Sequence, residues 1–119
     1  MRVEKIALYS AETEIAAITY EPGSLVVTFE TGEAIAFDDV QGFRVLDEGD
    51  LLEFWPHCSS KRSALFEVLE GGWFSQESMR PGFISSHLRP ELREFFITGS
   101  NDCVNVLCFS EPRLKAGAV

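Results

Sequence analysis

Basic side chains are scarce in the first half of this 119-residue chain, where the only one between Lys5 and Lys61 is Arg44. Residues 1–56 carry twelve acids against three bases, whereas residues 57–119 carry seven of each. The whole net charge of −9 therefore sits in the N-terminal half. Phosphate backbones demand a positive contact face, so general nucleic-acid binding is excluded. Such asymmetry points either to a one-signed face or to a sheet surface that is simply rich in Glu.

Histidine and cysteine are also in short supply. Two histidines, His57 and His87, and three cysteines, Cys58, Cys103 and Cys108, form neither a CxxC pair nor a disulfide framework of even number. Zinc needs four clustered ligands, and the calcium-loop spacing is missing around Asp47-Glu48-Gly49-Asp50. Gly71-Gly72 stands without the spaced glycines or the Lys of a phosphate loop. Neither metal nor cofactor is therefore expected. No run approaches the ~18 apolar residues of a membrane span. Glu4 and the short Ile6-Ala7-Leu8 run do not fit a signal peptide. The expected setting is cytoplasmic, with thiols packed as small apolar groups. Cys103 and Cys108 are five apart on an expected strand, so they should point to opposite faces.

What is present is a core. Hydrophobic residues make up 45% of the chain, with ten Phe and two Trp, which excludes disorder. A single domain of this length buries about two-thirds of its unfolded surface. Arg2–Tyr9, Glu14–Tyr20, Ser24–Glu30, Glu33–Asp38 and Gln41–Leu46 read as strands, the first 46 residues forming an acidic antiparallel meander. Glu21-Pro22-Gly23-Ser24 signals a turn, and Thr31-Gly32 a tight two-residue hairpin.

A short helix is expected over 47–56, capped by Asp47 and halted at Pro56. Residues 57–91 read as loop-rich, with a strand at Ala64–Glu70 and a short helix near Gln76–Met79. Leu92–Thr98 and Cys103–Ser110 flank Gly99-Ser100-Asn101-Asp102 as a closing hairpin, and 111–119 reads as a frayed tail. The expected fold class is α+β: one mainly antiparallel, bent sheet with one or two short helices over it.

Chemistry has few candidates. Cys58 with His87 is the available thiol–imidazole pair, but nothing beside Cys58 resembles a nucleophile elbow. A carboxylate pair for hydrolysis is possible among so many acids, with almost no specificity. The strongest constellation is a binding one. Asp38, Asp39, Asp47, Glu48, Asp50 and Glu53 fall within sixteen residues, with Phe54 and Trp55 beside them. Carboxylates around an aromatic anchor suit a basic protein partner. The competing reading makes Phe54 and Trp55 core and the acids a solvated helix start.

Trp73, Phe74 and Phe83 form a second aromatic group that reads more readily as core cover than as a ligand cage. Arg80, Arg89 and Arg93 could pair with the acidic half or with a neighbouring subunit. Asn105, in alternation with Leu107 and Phe109, reads as a buried polar group in need of partners. Free edges of the meander or the closing hairpin also allow homo-oligomers.

Phe43–Trp55 (FRVLDEGDLLEFW), Gly71-Gly72-Trp73 and Glu94–Leu107 (EFFITGSNDCVNVL) resemble a group of small acidic bacterial proteins. Some of these are similar to immunity proteins, which neutralise toxins delivered between competing bacteria. The resemblance spans about residues 35–110 and contains no catalytic signature, so it transfers no site residue. It implies an enzymatically silent binding protein that occludes a basic, nuclease-like toxin.

Overall fold

The computed structural model describes residues 1–7, 13–59, 63–83 and 91–116. Strands dominate: β1 (Arg2–Ala7), β2 (Ile15–Glu21), β3 (Ser24–Phe29), β4 (Ala34–Asp38), β5 (Val40–Asp47), β6 (Leu65–Glu70), β7 (Arg93–Ile97), β8 (Asp102–Cys108) and β9 (Arg113–Lys115). Helix among the described residues is limited to α1 (Trp73–Ser78) and one 3-10 turn, Glu48–Asp50.

The strands form two antiparallel sheets, one of five strands in the order β1-β6-β7-β8-β5 and one of four in the order β2-β3-β4-β9. This overturns the α+β expectation: the molecule is a mostly-β protein with two sheets. The expected meander survives only as β2-β3-β4, because β1 pairs with β6 and β5 with β8 in the other sheet. The switch occurs at Asp38-Asp39, where Asp39 takes a left-handed φ of 51° and the chain turns from β4 into β5. A single residue with positive φ redirects the chain between layers; Asp is one of the few non-glycine types that adopts it readily.

Burial drives the layering. β3 alternates between half-buried and buried, with Leu25, Val27 and Phe29 pointing inward. From the facing sheet, Phe95 and Ile97 of β7 and Val104, Val106 and Cys108 of β8 complete one core. Phe37 and Phe95 meet across it with ring centroids 5.8 Å apart. β7 and β8 are buried on both faces, which a strand reaches only when each face is covered. The cover on the outer face of the five-stranded sheet is the segment after β5: Leu51, Phe54 and Cys58 pack on Phe66, Val68, Phe96 and Cys103. Cys103 and Cys108 thus lie in different cores on opposite faces, as period-two alternation requires.

Three local readings need correction. Residues 47–56 do not form a continuous helix: hydrogen bonds from the Leu51, Phe54 and His57 amides reach back three residues, and Pro56 contributes no donor. The β3–β4 connection is the longer Glu30–Glu33 turn, closed by the Phe29 amide donating to the Glu33 carbonyl at 2.8 Å. Part of the tail is a strand, since Arg113–Lys115 pairs with β4 and Arg113 makes a two-point ion pair with Asp38. The expected strand residues 8–9 lie outside the described residues.

Candidate functional site

β5 separates the acids that the sequence brackets together. Asp38 and Asp39 precede its first residue and Asp47 is its last, so eight residues of strand hold the two groups about 23 Å apart. At the first end the carboxylates are engaged. Asp38 accepts from Arg113 Nε and Nη2 at 3.1 and 3.0 Å, and Asp39 Oδ2 accepts from Ser110 Oγ at 2.7 Å.

The second end differs. Among the described residues, Asp47, Glu48, Asp50, Glu53 and Asp102 form no ion pair, and all five are exposed. Asp102 joins this group because it stands directly opposite Asp47 in the β5–β8 ladder. It lies 55 positions away in sequence, so proximity along the chain gave no sign of it.

The turn that presents these acids is held from below. Asp47 Oδ2 accepts from the Gly49 amide at 2.8 Å, capping the 3-10 turn. The Glu48 amide donates to the Asn101 carbonyl at 2.8 Å, tying the turn to the β7–β8 connection. Trp55 Nε1 donates to the Glu48 carbonyl at 2.8 Å, and its ring lies 5.9 Å from that of Phe96. Phe54 stacks on Phe96 at 4.5 Å. Trp55 is therefore a half-buried brace with one edge in the core, and Phe54 is wholly core. Leu52, in contrast, is 72% exposed between Asp50 and Glu53.

A second polar centre lies under α1. Glu94 is 2% exposed, yet its carboxylate accepts from the Trp73 and Phe74 amides at 3.0 and 2.8 Å and from Asn105 Nδ2 at 3.2 Å. Asn105 Oδ1 accepts from Arg44 Nε at 2.8 Å, and the Arg44 guanidinium lies 5.1 Å from the Trp73 ring centroid. Burial pushes the Glu94 carboxyl above its ordinary value, against the three hydrogen bonds and the Arg44 charge. Burial also lowers the Arg44 pKa, while Glu94, Glu53 and Glu77 act to raise it. This chain of contacts docks α1 on the sheet and gives Asn105 the partners its burial requires. Glu94 escapes composition-based reading, but its alternation with Phe96 on the covered face of β7 is the sign that marks it.

Beside this centre, Gln41, Trp73, Glu77, Arg80 and Phe83 border a hollow of about 340 Å3. Its acid and base are paired with each other, Arg80 Nε lying 3.0 Å from Glu77 Oε2. Arg93 is likewise engaged internally, clamped by Glu67 at 2.8 and 2.9 Å and by Glu111 at 2.7 Å. Arg89 lies outside the described residues.

Cys58 has no exposed surface, and His87 lies outside the described residues. Burial also pushes the Cys103 and Cys108 thiols up to about 11, the opposite of thiolate activation. Among the described residues, no three His, Cys, Asp or Glu side chains are grouped to hold a metal ion, and no helix is long and apolar enough to cross a membrane. Comparison with protein-family models, curated proteins and solved structures finds no match to this chain.

Proposed function

We propose that this chain is a non-enzymatic binding protein that engages a basic protein partner through the turn at 47–53. The partner class that suits it is a cationic, nuclease-like toxin domain, with the chain acting as its immunity protein. The observation that carries the reading is the anchored acidic turn. Exposed Leu52 is flanked in sequence by exposed Asp50 and Glu53, with exposed Glu48 at the start of the same turn, while Leu51 and Phe54 are fully buried. A turn fixed before binding loses little conformational freedom on association. An exposed apolar side chain with charged neighbours along the turn suits an interface anchor with a polar rim.

The mechanism is occlusion: carboxylates take the place of phosphate in the partner's basic cleft, and Leu52 packs against its wall. Asp47 serves the turn as its cap, and Trp55 holds it from behind. Asp38 and Asp39, at the other end of β5, fall outside this contact.

Cationic nuclease-toxin domains, beginning with any encoded beside this chain's gene, provide the test. The expected result is a complex that weakens at least about tenfold in Glu48→Gln/Asp50→Asn/Glu53→Gln, mainly through association rate. A tight complex indifferent to those three changes would overturn the assignment of the turn.

A further inference from the structure

The hollow beside α1 owes its room to a glycine. Gly42 borders it, opposite buried Leu107 in the β5–β8 ladder and next to the bulge between Val40 and Gly42. A Cβ at this position would meet nothing closer than Trp73 Cη2 at 3.9 Å, so a longer side chain would grow into the space. Strand bulges of this kind are common beside binding and active sites. At about 340 Å3 the hollow has the size of a site for a small molecule.

Its aromatic walls are fixed in advance. The Trp73 amide is held by Glu94, and the Arg44 guanidinium lies 5.1 Å from the Trp73 ring centroid. Phe83 meets Phe74 edge-on at 6.2 Å, and the Arg80 guanidinium lies 5.9 Å from its centroid. Both Trp73 and Phe83 are only half-buried, which leaves ring surface for a flat aromatic ligand.

The polar groups have hydrogen-bonding capacity to spare. Arg80 spends Nε on Glu77 Oε2 at 3.0 Å. Among the described residues, its two Nη groups and Glu77 Oε1 have no hydrogen-bond partner. Arg44 Nη2, beside the Trp73 ring, is buried and equally unpartnered among them. This corner of the molecule therefore holds more donors than the fold uses. At Arg80 and Glu77, donors and an acceptor stand side by side. That is the complement of a cyclic amide, whose carbonyl oxygen and N–H are adjacent. The two charges also answer each other, and a chain of net charge −9 repels anions.

We infer that the hollow binds an uncharged nucleobase with a cyclic-amide edge, as the free base or its nucleoside. The ring rests against Trp73 and Phe83, its carbonyl accepts from Arg80, and its N–H donates to Glu77. Gln41, exposed at the border, serves the remaining edge. The site shares no residue with the turn at 47–53, so it stands or falls separately from the proposed partner.

Inosine, titrated into the protein and followed by heteronuclear NMR, tests this directly. Saturable shifts are expected at the Trp73 indole and at the Gly42 and Gly82 amides. Inosine methylated at its amide nitrogen should bind at least about fivefold more weakly, since it cannot donate to Glu77. That comparison needs no variant. Gly42→Leu, which fills the space, should weaken inosine binding at least about tenfold while leaving the circular dichroism spectrum unchanged. No saturable shift up to the solubility limit of inosine would overturn the inference. Equal binding of the methylated analogue would overturn the cyclic-amide edge, and undiminished binding by a folded Gly42→Leu would overturn the placement in the hollow.

Discussion

Glu94 illustrates how one side chain can decide the placement of an element. Its two oxygens take up both the Trp73 and Phe74 amides, the opening donors of a helix too short to hold together unaided. Glu94→Gln retains the size but sets an amide nitrogen against one of those donors, at a cost of about 2 kcal/mol. Its pH dependence distinguishes this centre from an exposed acid. The folded protein holds the Glu94 carboxyl above its ordinary 4.5, so folding favours the protonated form. Glu94's contribution to stability is therefore complete below the unfolded pKa and declines as pH rises through the folded one. Urea unfolding at acidic and neutral pH should show the gap between wild type and Glu94→Gln narrowing as pH rises. A gap that widens with pH would mean the buried carboxylate is favoured over the acid.

At the scale of elements, the turn after β5 shows what could and could not be read from residues alone. Its apolar positions and its Asp47 cap are visible in the sequence, as is the stop at Pro56. Its conformation is not, because spacings of three and four residues serve linked 3-10 turns as well as a helix. Strand positions were similarly legible from β-branched and aromatic runs, to within a residue or two. The partition into two sheets was not, since Asp39 looks like any other acid until its positive φ is seen. β9 leaves no mark in the sequence because its three exposed residues have no alternating apolar face; backbone pairing and the Arg113–Asp38 contact hold it.

Of the candidate site, the acids of 47–53 were visible, while Asp102 depends on strand register and was not. The division of labour within the turn yields a stability contrast. Phe54→Ala removes a fully buried ring stacked at 4.5 Å on Phe96 and should cost about 3 kcal/mol in urea unfolding. Leu52→Ala, at a position 72% exposed, should cost less than about 0.5 kcal/mol while weakening partner binding. Comparable losses of stability in the two variants would mean that Leu52 belongs to the core rather than to a contact surface.

Across the whole molecule, charge is sorted by place more sharply than along the chain. Among the described residues the arginines are largely occupied: Arg93 with Glu67 and Glu111, Arg113 with Asp38, Arg80 with Glu77 and Arg2 with Glu70. Arg44 is turned inward to Asn105 and Trp73. One end of the sandwich is left with Asp47, Glu48, Asp50, Glu53 and Asp102 and no ion pair among the described residues. Such a field attracts a cationic surface before contact, and salt weakens that attraction. The central claim is tested most directly by the association rate with a cationic nuclease-toxin domain, measured by stopped flow across ionic strength. A steep fall with added salt is expected for wild type, and a much shallower one for Glu48→Gln/Asp50→Asn/Glu53→Gln, the two converging at high salt. Equal salt dependence in both proteins would contradict steering by this turn.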